Sequence, residues 1–391
     1  MAHHLDPLLR PSSIAVIGAS ASAGVGRRIL ETLLHGQYQG TLYALNPKYD
    51  DVLGVPCFPD LAALPEPVEH VVFAVSDHRI EPIFEEAVEM GVKAMTIMSM
   101  LYIENDMQPP LKDRLQRRAQ ETGMLVCGAN GMGFYNFADR VCVGGFDTRS
   151  NHIAGNVALI SHSGSGMAGI MDCDERINFS LTVSAGQELS VGMHDYLDFA
   201  LEIPTTEVVG LFMETVRKPD LMIQAFAKAA RKQIPIVVIK TGKTKRSAEL
   251  TVSHSGALAG SDDCHQALFR KYGIQRVNDM DELAKTLIMF AQPHALAEGN
   301  LVTIHDSGGE RQLILDLAAD QEVDFAALNS ETVAKLEEIL DPGLPAVNPL
   351  DAWGRGLEDS DQIMADSLTS MLQDPNASMG AVVQDRGPLS R

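Results

Sequence analysis

The chain has 391 residues, of which 45% are apolar and only 5% aromatic, and its formal net charge is −21. This length predicts two or three domains, and the low aromatic content argues against a stacking platform for single-stranded nucleic acid. The acidic balance excludes general binding to nucleic acid or anionic membranes. We therefore expect any phosphate-bearing ligand to be held locally, by backbone N–H groups and a few cations.

The first predicted domain covers residues 1–145 and alternates short apolar strands with amphipathic helices. Unbroken apolar strands separated by helices are typical of a parallel sheet that is covered on both faces. The predicted elements are strand Ser13–Ile17, helix Val25–Leu34, strands Leu42–Leu45 and His70–Val75, helix Ile80–Met90, and strands Ala94–Met98 and Leu125–Cys127.

The turn after the first strand contains Gly18, Gly24 and Gly26, and it leads into a helix. Glycines let the backbone approach an anion, and a helix N-terminus offers unpaired N–H groups to it. The spacing departs from the GxGxxG fingerprint. The second strand also ends in Asn-Pro-Lys, where NAD would require an acidic residue. Lys48 suits a phosphate better, although a tight turn with a surface lysine remains the alternative.

The second predicted domain covers residues 150–292, with strands Gly155–Ile160, Val208–Met213 and Ile234–Lys240. A loop of small residues, Ser161–Gly166, follows the first of these strands and precedes a helix. Such a loop suits phosphate or carboxylate, although an ordinary serine N-cap has the same pattern.

Two histidines lie among small residues in this domain, His162 and His254. We predict that a helix begins after His254, because its dipole would favour a neutral, nucleophilic ring and later stabilise a phosphoryl group on it. His162 is the rival nucleophile. Glu214 ends a strand and could orient a histidine through its Nδ1–H, or could equally cap the next helix.

The third predicted domain covers residues 298–391, with a strand at Leu301–Ile304, helices at 310–320 and 330–340, and a strand at Gly380–Val383. We expect it to be incomplete. Five cysteines without a CxxC pair predict neither disulfides nor a zinc site, and no metal site is predicted. With no signal peptide or membrane-spanning run at hand, we expect a cytoplasmic protein.

Several segments, taken in order, resemble the α-type half of ADP-forming acetyl-CoA synthetases, which are relatives of succinyl-CoA synthetase. The matching segments are SIAVIGAS (13–20), the NPK segment (46–48), GNVALISHSGSGMAG (155–169), SAGQELSVGMHDYLDFAL (184–201), SHSGALAGSD (253–262) and VNPLDAWG (347–354). The resemblance implies an α/β fold in which a Rossmann-like CoA-binding domain precedes flavodoxin-like, succinyl-CoA synthetase-type domains with parallel sheets.

The resemblance also implies an activity: an acid, CoA and ATP give acyl-CoA, ADP and phosphate through an acyl phosphate and a phosphohistidine. His254 would be the phosphoryl carrier and Glu214 its orienting carboxylate. The residues expected to contact CoA are Gly18, Ala19, Ser20, Lys48 and Asn130. The residues expected near the phosphate are Ser161, Ser163, Gly164 and Ser253.

The sequence departs from the family at GANGMG (128–133) and MSMLYIEN (98–105), two loops that border the acyl site in the family. Acetate and an aromatic acid such as a hydroxycinnamate therefore both stay open as the acyl substrate. The family's ATP-grasp domain, which binds ATP or ADP with Mg²⁺, has no counterpart in the sequence. Either a β-type subunit supplies it or the chain is part of a longer fused protein. We expect an oligomer.

Two other functions remain as alternatives. The chain could be a CoA-binding regulatory module without catalysis, or an NAD-dependent oxidoreductase. The retained His254 and Glu214 favour the synthetase over the first alternative. The Asn-Pro-Lys strand end disfavours the second.

Overall fold

Two parallel-rich sheets occupy residues 1–292, and a small third sheet lies in residues 293–391; these two ranges form separate units. The computed structural model describes residues 2–146, 148–149, 152–255, 260–292, 296–354 and 360–384, with only the backbone described for 251–255. Across these ranges, no helix has the length and apolar character needed to cross a membrane.

The first sheet has the strand order β3-β4-β2-β1-β5-β6-β7, in which only the β3–β4 pair is antiparallel. Its strands are β1 Ser13–Ile17, β2 Thr41–Leu45, β3 Asp51–Val52, β4 Val55–Phe58, β5 His70–Phe73, β6 Ala94–Ile97 and β7 Leu125–Gly128. Without β3, the parallel strands follow the order 3-2-1-4-5-6 of a doubly wound dinucleotide-binding fold. Every residue of β1, β5 and β6 is buried, which explains their unbroken apolar sequence.

Four helices accompany this sheet: α1 Asp6–Leu9, α2 Val25–His35, α3 Ile80–Glu89 and α4 Leu111–Thr122. Helix α2 buries Ile29, Leu30 and Leu33 on one face, at the spacing of an amphipathic helix. Helix α4 ends at Gly123, whose φ of 69° is the left-handed conformation that glycine adopts readily at helix ends.

The second sheet has the order β14-β13-β12-β10-β11-β8-β9. Its strands are β8 Gly133–Asn136, β9 Val141–Gly144, β10 Val157–Ser161, β11 Phe179–Ser184, β12 Val208–Met213, β13 Ile236–Lys240 and β14 Gln275–Val277. Strands β10 to β14 are parallel and follow the flavodoxin order 2-1-3-4-5. The antiparallel hairpin β8–β9, which lies inside the range predicted for the first domain, pairs with β11 of this sheet.

Six helices surround the second sheet: α5 Gly164–Cys173, α6 Met193–Ala200, α7 Pro219–Lys232, α8 Lys245–Ser255, α9 Asp262–Tyr272 and α10 Met280–Phe290. Helix α10 begins at Asp279, whose side chain accepts a hydrogen bond from the Glu282 N–H. This contact satisfies one of the N–H groups that a helix start leaves unpaired.

The second unit contains a parallel sheet with the order β16-β15-β17. Its elements are β15 Asn300–His305, α11 Gly308–Asp320, α12 Ser330–Ile339, β16 Leu350–Asp351, α13 Ser360–Leu372 and β17 Ala377–Val383. Val302 and Ile304 of the central strand pack in its core with Leu336 and Met371 from two helices.

The predicted α/β fold class is confirmed, and each predicted strand and helix has a counterpart within a few residues. The sequence analysis missed β3, β4, the β8–β9 hairpin, β11, β14 and β16. The domain limits 1–145, 150–292 and 298–391 stay predictions.

Candidate functional site

The turn between β1 and α2 lies at the carboxyl edge of the first sheet, beside the point where the strand order reverses. Gly18 has a φ of 83°, and its N–H donates to the Leu45 carbonyl at 2.9 Å. A Cβ at Gly18 would lie 2.3 Å from the Ala74 carbonyl oxygen, on the neighbouring β5 side. Only glycine fits here, because both the conformation and the close approach of backbone exclude a side chain.

A cavity of about 330 Å³ opens next to this turn. Among the predicted CoA residues, Gly18, Ser20 and Lys48 line it, and Ala19 is buried in the same turn. Asn46 Nδ2 donates to the Ala19 carbonyl at 2.6 Å, so the ends of β1 and β2 are tied together. The cavity thus combines a cation, a turn of backbone and an opening at the carboxyl edge, which suits a phosphate-bearing ligand.

Asn130 lies elsewhere and does not line this cavity. Its φ is 52°, and its N–H donates to the Ser99 carbonyl at 2.7 Å. The two preceding carbonyls, of Gly128 and Ala129, accept from the Leu189 and Gln187 N–H groups at 3.0 and 2.7 Å. Residues 128–130 therefore tie the carboxyl ends of the two large sheets together.

At the second sheet, the strand order reverses between β10 and β12, and the loops after both strands carry predicted site residues. Ser163 is the N-cap of α5 and accepts from the Gly166 N–H at 3.0 Å. Ser161 Oγ accepts from the Ser163 N–H at 3.1 Å and donates to the Ser163 carbonyl at 2.6 Å. Ser161, Ser163 and Gly164 thus form one ordered loop and helix start, an arrangement that can hold a phosphate.

Glu214 directly follows β12, and its main chain is held by side chains from both neighbouring strands. His162, just after β10, accepts from the Glu214 N–H through Nδ1 at 3.0 Å. Lys240, the last residue of β13, donates from Nζ to the Glu214 carbonyl at 2.9 Å and to the Thr241 carbonyl. Burial lowers the pKa of Lys240 to about 8.

Behind His162 lies Glu188, a buried carboxylate that sequence reasoning missed. Glu188 Oε1 lies 3.1 Å from His162 Nε2 and accepts from the Met193 N–H at 2.5 Å. Glu188 Oε2 lies 3.0 Å from Nε of Arg217. Burial alone would raise the pKa of Glu188, but His162, the Met193 N–H and Arg217 together hold it below its usual value. Glu188 is therefore an ionised group in the interior.

Helix α8 contains Ser253 and His254 in its last turn. The prediction that a helix begins after His254 differs from this, because good helix formers such as Ala248 and Leu250 already extend a helix through that histidine. The side chains of both residues, and all of residues 256–259, lie outside the described part of the structure. The contact between His254 and Glu214 therefore stays a prediction.

Comparison with known proteins identifies two domains. Residues 12–136 match a CoA-binding domain family, and residues 154–290 match a succinyl-CoA ligase-like flavodoxin domain family. The two matches correspond to the two large sheets described above.

The chain spans about half the length of curated relatives that match nearly all of it. It is 30% identical to a trans-feruloyl-CoA synthase from an unidentified prokaryote, over 97% of this chain and 54% of that protein. It is 29% identical to ADP-forming acetate–CoA ligase I of Archaeoglobus fulgidus, over 95% of this chain and 53% of that protein.

A separate subunit and a solved structure match over most of their own length. The α subunit of ADP-forming acetate–CoA ligase II of Pyrococcus furiosus is 29% identical over 95% of this chain and 80% of that subunit. The structure of a dinucleotide-forming acetyl-coenzyme A synthetase 1 of Candidatus Korarchaeum cryptofilum, in complex with phosphate and ADP, matches with a TM-score of 0.85. It is 26% identical and covers 97% of this chain and 82% of that one.

Proposed function

Because this chain is related to the α-type part of the ADP-forming acyl-CoA synthetases, we propose that it is the half of such a ligase that binds CoA and carries the phosphoryl group on His254. The observation that carries this proposal is the convergence at the second sheet's switch point. There the start of α5, His162 and the firmly held Glu214 meet the end of β13, the strand that leads into the helix of His254.

CoA binds at the carboxyl edge of the first sheet, with Gly18, Ala19 and Ser20 forming the turn against it. Lys48 provides the positive charge for a phosphate of CoA in an otherwise acidic protein. Asn130 keeps its proposed place near CoA only at the junction of the two sheets, since it does not line the cavity of Lys48.

The chemistry takes place in front of the second sheet. An oxygen of phosphate attacks the thioester carbon of acyl-CoA, the C–S bond breaks, and CoA leaves as the thiol. A ring nitrogen of His254 then attacks the phosphorus of the acyl phosphate, and the P–O bond breaks to release the carboxylate. Ser161, Ser163, Gly164 and Ser253 surround the phosphate, and Glu214 orients the ring of His254.

The phosphoryl group then passes from His254 to ADP, which binds with Mg²⁺ to an ATP-grasp domain outside this chain. That domain belongs to a β-type subunit or to a longer form of the same polypeptide, and the assembly is an oligomer. The five cysteines are unpaired in the structure, which supports a cytoplasmic location.

The acyl group is proposed to be larger than acetate. The segment after β6 departs from the family and exposes three bulky apolar side chains, Met100, Tyr102 and Met107, which are 62%, 72% and 65% exposed. An aromatic acid could bury part of this surface, whereas acetate could not. Acid-dependent CoA consumption with ferulate and with acetate compares the two, and equal rates would contradict the preference.

Phosphate transfer from radiolabelled ATP tests the function, with the chain assembled with an ATP-grasp subunit and Mg²⁺. We expect acid-labile, base-stable phosphate on the wild type, none on His254→Ala, and full labelling on the control His35→Ala, which changes an exposed histidine at the end of α2. If His254→Ala takes up as much phosphate as the wild type, the mechanism is wrong.

Thermal denaturation separates the alternatives. A ligand that binds only the folded state raises the melting temperature by mass action. CoA should therefore raise it, NAD should not, and Lys48→Ala should reduce the effect of CoA. A response to NAD alone would favour an oxidoreductase. A response to CoA without phosphate on His254 would favour a regulatory module.

A further inference from the structure

The peptide groups around Glu214 are held in an unusual way. The regular ladder ends one residue earlier, where the His162 and Thr241 N–H groups donate to the Phe212 and Met213 carbonyls at 3.0 Å each. Beyond that point side chains replace main chain, because His162 Nδ1 takes the Glu214 N–H and Lys240 Nζ takes the Glu214 carbonyl. Both polar groups of Glu214's main chain are thus fixed from opposite sides of β12.

The contact with Glu214 determines the tautomer of His162. Nδ1 accepts a hydrogen from an N–H group, so the ring proton must lie on Nε2. Nε2 faces the ionised Glu188 at 3.1 Å, and the two side chains are only 2% and 5% exposed. A carboxylate opposite Nε2 stabilises this tautomer and its ring orientation. With both nitrogens engaged in the interior, His162 is a poor candidate for the rival nucleophile.

We propose that His162 is a positioning residue, which places the Glu214 carboxylate for its work on His254 and is itself oriented by Glu188. The inference rests on the proposed function. Glu188 is held in turn by the Met193 N–H and Arg217, so the chain of contacts runs from a salt bridge in the interior to the carboxylate at the sheet edge. The nearest sequence signal, a histidine between serines, favoured a nucleophile instead.

The inference predicts a measurable loss when the Nδ1 acceptor is removed. A shift of about 1 Å in a group that orients a reactant can reduce a rate by about 10²-fold. Removing the acceptor leaves the Glu214 N–H without its partner and frees the main chain to move. We therefore expect phosphorylation of His254 to slow by roughly 10- to 100-fold, whereas the KM for CoA should be unchanged.

Two isosteric substitutions separate the nitrogens of His162. In His162→Asn, the amide oxygen can take the place of Nδ1 and accept from the Glu214 N–H, but the contact to Glu188 is lost. In His162→Gln, the amide nitrogen can take the place of Nε2 and donate to Glu188, but nothing replaces Nδ1. We expect His162→Asn to stay within about 3-fold of the wild type and His162→Gln to show the full loss.

The main readout is the rate of phosphate uptake by His254 from radiolabelled ATP in the assembled ligase, with melting temperatures measured in parallel. Equal losses in the two variants, or a loss that follows the melting temperature alone, would show that His162 only fills space. If His162 acts through Glu214, adding His162→Gln to Glu214→Gln should slow labelling no further. An additive effect would overturn the inference.

Hydrogen exchange of the Glu214 amide provides a readout that does not need phosphoryl transfer. The amide should be protected in the wild type and in His162→Asn, and should exchange faster in His162→Gln. Unchanged protection in His162→Gln would refute the positioning role. If exchange behaves as expected but the wild type takes up no phosphate, the proposed function fails while the structural coupling stands.

Discussion

The substitution Gly18→Ala tests the turn that the structure assigns to the ligand cavity of the first sheet. A Cβ at this position would lie 2.3 Å from the Ala74 carbonyl oxygen and 2.8 Å from Val75 Cγ1. The carbonyl belongs to the backbone next to β5, where the Ala74 N–H donates to the Ile17 carbonyl at 2.8 Å. The clash cannot be relieved without separating β1 from β5.

Two costs add for this substitution. The left-handed conformation at a φ of 83° costs a residue with a Cβ about 1–2 kcal/mol. Forcing an extra carbon into a packed site costs about 1–3 kcal/mol more. We therefore expect a loss of about 2–5 kcal/mol in the free energy of unfolding, and at about 2–4 °C per kcal/mol the melting temperature should fall by at least about 4 °C.

Gly91→Ala is the matched control, because Gly91 has a similar φ of 79° but no atom within 4 Å of its Cβ position. It should show only the conformational cost of about 1–2 kcal/mol. Melting curves with and without CoA measure both effects. Gly18→Ala should also abolish the stabilisation by CoA, and Gly91→Ala should retain it. If the two variants lose equal stability and respond equally to CoA, the steric argument at Gly18 is refuted.

Three further predictions concern stability and reactivity. Burial lowers the pKa of His70 to about 3, so the unfolded chain binds more protons than the folded one below pH 6.5; stability should fall with pH by up to about 1.4 kcal/mol per unit, and His70→Gln should lack this part of the slope in pH-dependent unfolding. Burial raises the pKa of the Cys127 thiol to about 11, whereas Cys264 is exposed; mass spectrometry after alkylation should find Cys264 modified and Cys127 intact, and the opposite order would contradict the packing. Arg114, 15% exposed, forms paired hydrogen bonds of 2.7 Å to one carboxylate and a further contact of 3.1 Å; Arg114→Met should cost about 1–3 kcal/mol in chemical unfolding, and the more exposed control Arg118→Met should cost at most about 1 kcal/mol.

Local sequence was sufficient for most of the fold, since strands such as β1 and β12 are apolar throughout and are covered on both faces. The hairpin β8–β9 could not be predicted in this way. Each of its strands is only four residues long, and its partner β11 lies far along the chain. Its place in the second sheet is a tertiary fact that no nearby residue encodes.

The candidate site divides in the same way. Ser161, Ser163 and Glu214 were predictable because they come directly after strands, and the carboxyl ends of parallel strands meet at one edge. Glu188 was not, because its role depends on a φ of 53° and on a histidine that is distant in sequence. Lys240 was read as the end of a strand, while its contact with the Glu214 carbonyl follows only from the pairing of β12 with β13.

The origin of the hairpin β8–β9 decides how this protein can be dissected. A fragment that starts at residue 154, where the second family match begins, would leave β11 as an uncovered edge strand with a row of unpaired N–H and C=O groups. All six residues of β11 are buried in the intact chain, so such an edge would promote aggregation. A fragment that ends at residue 145 would carry the hairpin away from the sheet it completes. Residues 2–292 are therefore the piece to express, and shorter pieces chosen by sequence families would fail at this seam.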